Sequence, residues 1–395
     1  MTPTTRKALL TFHLWAGLVL GALLLVVSLT GALLVFRGNL ERQLDPHRWI
    51  VAPGATRLAP EQLIARAVAA HPAGELESVR SFGDATAPFL VYFSNKDYVH
   101  VNPCTGEVLG TRARYGEGFG WIEGLHKYLQ LAPPVGEAIN GYNALAFLLI
   151  IATGVVLWWP ATRRALVAGV TLNWKLKGRP WNLGLHKTVG IYAALLLSVM
   201  AFTGAPVSLD WLKNALYPLT GSTKPALPLP LAAPSTAPIA TTSASFVGFD
   251  RVAAAMAARF PAARETYIPL PKKGLVAAYS IEADSAHPNA RSYAYWDGAS
   301  GALLRAQPYA TAPAGLRLYY FMMSLHTGVW GGPAMQIALL LGALSVPLLT
   351  YTGVASYLRR KSARAATASA PPRALPRTDA PPRAPRFSPP HALSE

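Results

Sequence analysis

The chain has 395 residues, a formal net charge of +17 and only 14% charged side chains. With a mean hydropathy of +0.27, that composition excludes an ordinary soluble protein and makes a lipid bilayer the expected solvent. Cys104 is the single cysteine, which excludes an internal disulfide or a thiolate cluster within one chain, and no Cys-x-x-Cys-His run is present for covalent c-type haem.

The first predicted element is an apolar helix over 8–36, long enough to cross a hydrocarbon core of about 30 Å. Its apolar run is about twice the roughly 7–15 residues of a secretory signal, and Ser28-Leu29-Thr30-Gly31-Ala32 continues straight into apolar sequence, so it reads as an uncleaved anchor. A non-membrane segment follows over 37–136. Within it the periodicity predicts a helix over Pro60–Ala70, strands over 76–82, 89–93 and 98–101, a turn at Asn102-Pro103-Cys104-Thr105-Gly106 leading into Glu107-Val108-Leu109, and an interfacial helix carrying His126. A second span is expected over 138–160, a basic loop over 161–185, and a third span over 186–209. The segment 210–332 opens with a Pro-, Ala-, Ser- and Thr-rich linker from Pro218 to Thr242. A helix over 249–260, strands over 266–270, 275–282 and 292–296, and a turn at Asp297-Gly298-Ala299-Ser300-Gly301 come next. The fourth span is expected over 333–358, and the Pro/Ala/Arg-rich remainder, 359–395, is expected to be a disordered tail.

Basic residues set the orientation. Arg6 and Lys7 precede the first span, Arg163, Arg164, Lys175, Lys177, Arg179 and Lys187 lie between the second and third, and Arg359, Arg360, Lys361 and Arg364 follow the fourth. These segments, with both termini, are expected in the cytoplasm, and the two long segments outside it. Charge placed this way suits topology and anionic membrane lipids, so no nucleic-acid partner is expected.

The chain is also a repeat. His13, Gly17, Thr30, Gly31 and Ala32 fall without a gap on His186, Gly190, Thr203, Gly204 and Ala205. Leu125-His126 matches Leu325-His326, and Thr153-Gly154-Val155 matches Thr352-Gly353-Val354 with one residue of difference in spacing. The expected fold is therefore a membrane protein with four transmembrane α-helices in two span–domain–span repeats, each half carrying one small α+β domain outside the membrane.

A histidine at the end of a membrane helix is ordinarily an interfacial residue, but four at repeat-related positions share a pattern. His13 and His186 belong at one face, His126 and His326 at the other, one from each half. At about 100° per residue, Gly17, Gly21, Ser28 and Gly31 lie on the side of His13, and Gly190, Ala194, Ala201 and Gly204 on that of His186. Small residues alone are explained by close helix packing; below a histidine, they also make a groove for a flat macrocycle. Paired imidazoles fill the two axial positions of a haem iron, which suits electron transfer, whereas a zinc site wants four ligands. His47, His71, His100 and His287 remain alternatives for the second pair.

Several motifs together resemble the PepSY-associated transmembrane family of iron-regulated membrane proteins. They are His13-Leu14-Trp15-Ala16-Gly17 with Ser28-Leu29-Thr30-Gly31, the Asn102 to Leu109 turn, Leu125-His126, Trp158-Trp159-Pro160, His186-Lys187-Thr188-Val189-Gly190 and Leu325-His326-Thr327-Gly328. The likeness covers nearly all the chain to about Lys361, with departures at Asn102, where an aspartate-like residue is usual, and in the Ala299-Ser300-Gly301 turn. It implies a bacterial inner-membrane protein with two periplasmic PepSY-like domains, and members studied for function look like di-haem ferric-siderophore reductases. Carried over by residue, the resemblance implies two b haems, one per membrane face, held by His13 with His186 and by His126 with His326, beside Gly17, Gly190, Gly31 and Gly204.

The expected activity is transfer of electrons across the membrane to a periplasmic ferric siderophore, in iron acquisition. No Gly-x-Gly-x-x-Gly fingerprint is present and the basic loop is too short for a flavin domain, so a membrane quinol or a redox protein is the expected donor. Trp121, Tyr128, Tyr319 and Trp330 are candidates to shape the acceptor site or to form an aromatic belt, and Lys127 and Lys187 to meet haem propionates. Two rival readings are a non-enzymatic sensory or binding protein, for which the spans are anchors, and a transporter of siderophore or metal.

Overall fold

The computed structural model describes residues 1–228 and 248–369. Much of the sequence linker and most of the basic tail therefore lie outside the described residues. Helix α1 (Pro3–Leu34) starts at a proline, which has no backbone N–H to leave unpaired, and the Thr2 side chain accepts from the Thr5 amide at 3.2 Å. Short helices α2 (Arg37–Leu44) and α3 (Pro46–Trp49) lead from it to α4 (Pro60–Ala70) and to strands β1 (Leu76–Phe82), β2 (Phe89–Phe93), β3 (Asp97–Val101) and β4 (Val108–Ala113). Helix α5 (Gly118–Tyr128) then precedes the long α6 (Pro133–Trp158).

A similar succession of elements follows. After α7 (Arg163–Val170) come α8 (Gly178–Ser208), α9 (Asp210–Leu219) and α10 (Phe249–Arg259). Strands β5 (Ala263–Pro269), β6 (Leu275–Glu282), β7 (Arg291–Asp297) and β8 (Leu303–Gln307), α11 (Ala314–His326) and α12 (Gly332–Ser369) complete it. Several boundaries differ from the expected ones, two of them most. Helix α8 begins at Gly178 rather than 186, and α12 continues beyond 358 to Ser369. Hydropathy marks only the apolar part of a helix, and polar turns extend both beyond it.

Four helical segments among the described residues are long and apolar enough to cross a membrane: Pro3–Leu34, Pro133–Trp158, Gly178–Ser208 and Val329–Ser362. Around the bundle α1 packs on α6 and α12, and α8 packs on the same two helices. Helices α1 and α8 thus stand on opposite corners. Leu24, Ile150, Ala193, Leu197 and Val346 fill the middle, while Val19 and Leu195 point outward, each 73% exposed, as side chains meant for lipid do.

The eight strands form one antiparallel sheet in the order β4-β3-β2-β1-β5-β6-β7-β8. The two half-sheets join where β1 pairs with β5, with Val79 opposite Ile268 and Arg80 opposite Tyr267. Alternation along the strands sends Val79, Phe93, Val99, Ile268, Val276 and Ala294 to one face, where Leu63 and Ala67 of α4 and Val252 and Met256 of α10 cover them in a shared core. The separate sheets expected for each half are thus one sheet with two helices on it. Backbone pairing between strands so distant in sequence leaves no local signal.

The other sheet face looks toward α5 and α11. There Tyr293 and Tyr320 hydroxyls meet at 2.6 Å, and Arg112 of β4 reaches Glu41 of α2 at 3.3 Å with both side chains buried. These contacts tie the sheet to the bundle at one end, which we call the sheet side. The end bearing α7 is the loop side.

Candidate functional site at the two histidine pairs

His13 projects from α1 and His186 from α8, the two opposite corners, and their rings face each other with centroids 6.2 Å apart. His126 on α5 and His326 on α11 face each other at the sheet side with centroids 6.3 Å apart. Between the levels lie the 18 residues from His13 to Gly31, about 27 Å at 1.5 Å per residue, close to the thickness of a hydrocarbon core.

All four rings are held in the same way. His13 Nδ1 lies 3.1 Å from the Ile150 carbonyl and 3.1 Å from Thr153 Oγ1. His186 Nδ1 lies 3.1 Å from the Leu349 carbonyl and 3.0 Å from Thr352 Oγ1. For His126 the partners are the Val27 carbonyl at 3.0 Å and Thr30 Oγ1 at 3.2 Å. For His326 they are the Met200 carbonyl at 3.0 Å and Thr203 Oγ1 at 3.3 Å. A carbonyl only accepts, so each Nδ1 must donate its proton, and each neutral ring keeps its lone pair on Nε2. That is the tautomer a metal-ligating imidazole needs.

A cavity of about 440 Å³ surrounds the loop-side pair, within the size range of cofactor sites. His13, His186, Gly17, Gly21, Gly190 and Ala194 line it, and Arg6, Lys7, Arg179, Lys187 and Arg360 stand at its cationic end. A Cβ on Gly17 would meet nothing within 4 Å, and one on Gly190 only Leu349 at 3.7 Å. These glycines border open space rather than a tight helix contact. Gly31 and Gly204 are placed elsewhere: they lie against His126 and His326 and do not continue the groove of the loop-side pair. Angular arithmetic put them on the right side of the helix, but at the opposite end of it.

No three His, Cys, Asp or Glu side chains come together as a metal site among the described residues. Two imidazoles bonded to one metal on opposite sides, at about 2.0–2.1 Å from each nitrogen, have centroids roughly 6 Å apart. The separations of both pairs match that distance, and a bare ion would want ligands beyond the two imidazoles of a pair.

The remaining candidates separate. His47 lies on α3, and His71 pairs with Asp97 at 3.1 Å. His100 is buried in the sheet beside Trp49, and His287 bonds Ser324 and Tyr309. Trp121 and Trp330 are about half exposed, Tyr319 is buried, and Tyr128 packs edge-on against Tyr115. Lys127 lies 3.7 Å from Glu123 and over the Tyr128 ring. The sequence reading missed the role of Thr30, Thr153, Thr203 and Thr352. Their repetition before a glycine was visible, but not the helix each one faces.

The fold and the site together define a membrane protein whose four-helix bundle carries a sheet domain at one end and a histidine pair at each end. Its sequence matches the model of the PepSY-associated TM region over residues 10–360, and the chain belongs to that family. A comparison with curated proteins gave no match.

Proposed function

We propose that this protein is a di-haem b electron-transfer protein of the bacterial inner membrane, with its termini in the cytoplasm and its sheet in the periplasm. In this reading it passes electrons from a membrane quinol or a redox protein to a periplasmic ferric siderophore. The observation that carries the proposal is the pair of cross-bundle histidine sets, each about 6 Å between ring centroids and each bonded through Nδ1 alone. When bound, two haems supply one-electron carriers at two depths of the membrane.

The protein's own residues do the rest. His13 with His186 would hold one haem, and His126 with His326 the other, through the Nε2 lone pairs that the bonded Nδ1 atoms leave free. Leu24, Phe147, Ile150 and Leu197 give the loop-side cavity apolar walls, and Arg6, Lys7, Arg179, Lys187 and Arg360 would offer cations to the anionic groups of a cofactor. The substrate gains one electron per ferric ion. Ferrous iron, softer and less charged, is held less tightly by hard oxygen chelators, and the metal is released.

The test begins with colour. The purified full chain should show a b-type spectrum with close to two haems per chain, and His13→Ala and His326→Ala should each remove about one. Reduced anaerobically and given ferric chelates, it should reoxidise. A folded, haem-free protein overturns the proposal, and haems that no ferric chelate reoxidises overturn its siderophore part.

A further inference from the structure

Each of the four histidines meets a Thr-Gly dipeptide on another helix of its own half. His13 meets Thr153-Gly154 of α6, His186 meets Thr352-Gly353 of α12, His126 meets Thr30-Gly31 of α1, and His326 meets Thr203-Gly204 of α8. Each threonine hydroxyl also donates within its own helix, to Leu149, Leu348, Val26 and Val199 carbonyls at 2.9, 2.8, 2.7 and 2.6 Å. With its hydrogen committed there, the oxygen turns a lone pair to the histidine. The glycine that follows comes up against Cε1 of the same ring. A Cβ would stand 2.8 Å from Cε1 at Gly204, 3.1 Å at Gly31 and at Gly154, and 3.7 Å at Gly353.

We infer that the four Thr-Gly dipeptides are positioning residues for the histidines: the threonine holds Nδ1 as a donor and the glycine sets how far the ring advances into the bundle. Cε1 lies between the two ring nitrogens, so a methyl group pressed on it swings Nε2 off its line. A hydrogen-bond acceptor at Nδ1 makes the imidazole a stronger base. A stronger base favours the more highly charged ferric ion, so removing the threonine oxygen raises the reduction potential at that pair and leaves the other alone. The redox consequence rests on the haem reading above; the tautomer and the ring placement do not.

The two parts are tested separately on the full chain in detergent. In an optical redox titration, Thr352→Val keeps both haems and raises one midpoint potential, Thr30→Val raises the other, and Thr→Ser at either position restores it. Losing one of two acceptors weakens haem binding at that pair by about tenfold. Gly→Ala follows the distances: Gly204→Ala loses about one of two haems, Gly31→Ala and Gly154→Ala weaken binding, and Gly353→Ala retains both. If Gly204→Ala does not fold, the contrast of Gly31→Ala and Gly154→Ala with Gly353→Ala carries the test. Potentials unmoved by both Thr→Val changes, or Gly353→Ala as damaging as Gly154→Ala, overturn the inference. An unaltered protein without haem overturns the functional reading instead. Nitrogen NMR of the histidines in that protein still decides the placement, since an Nε2–H tautomer at these rings overturns it.

Discussion

Acidification should destabilise the sheet through His100. This side chain on β3 is 0% exposed, edge-on to Trp49 at 4.7 Å between centroids. Burial first, and then the guanidiniums of Arg48 and Arg112, push its pKa from 6.5 down to about 4, while the Gly110 carbonyl and Asp45 offset them only in part. An unfolded chain takes up a proton here below about pH 6.5, and the folded chain refuses it until about pH 4. The unfolded state thus binds more protons across that window. Stability is complete above it and falls as the pH drops through it. At about 1.4 kcal/mol per pKa unit, the loss is about 2 kcal/mol at pH 5 and tends to about 3.4 kcal/mol below pH 4. The assay is denaturant unfolding of the full chain in detergent, at about pH 7.5 and about pH 5, for the unaltered protein and for His100→Leu. The difference between the two cancels the other histidines. The unaltered chain should lose about 2 kcal/mol more than the variant between those conditions. Equal losses in both would refute the reasoning.

Two further outcomes follow from close contacts made by α2 and by α6. Glu41→Ala should cost about 3 kcal/mol in the same unfolding assay, because buried Arg112 and partly buried Arg37 then lose a shared carboxylate, with Glu41→Gln costing less. On the di-haem reading proposed above, Gly136→Ala should weaken haem binding at the sheet-side pair and spare the loop-side pair, read as loss of about one haem of two. The added methyl would collide with the backbone of Tyr128, which closes the helix that carries His126.

What the sequence discloses depends on how local the cause is. The four spans are written in unbroken apolar runs, and β6 in an apolar segment whose bounds match Leu275–Glu282. The pairing of His13 with His186 follows from the gapless repeat, since equivalent helices of two halves come to opposite corners. Strands β4 and β8 are weaker signals: Val108–Ala113 holds a glycine and an arginine, and Leu303–Gln307 is short and without a buried residue. The joint between β1 and β5 and the reach of each threonine to a histidine on another helix are contacts across long sequence separations. Their residues look ordinary until the chain has folded. Gly31 shows the limit of angular reasoning: it shares the side of His13 but lies against His126.

The joint between β1 and β5 also bears on how such a molecule is built. Its antiparallel pairing, with each half contributing the equivalent strand, is what a two-fold axis between two identical halves would produce. Each histidine pair likewise takes one member from either part of the chain. A half by itself would end in a naked strand edge and in two imidazoles with no opposite number. The sheet and the two histidine pairs therefore all need both parts of the chain, and the linear chain makes their meeting intramolecular. It supplies the second half at a fixed, high local concentration and rules out mismatched partners.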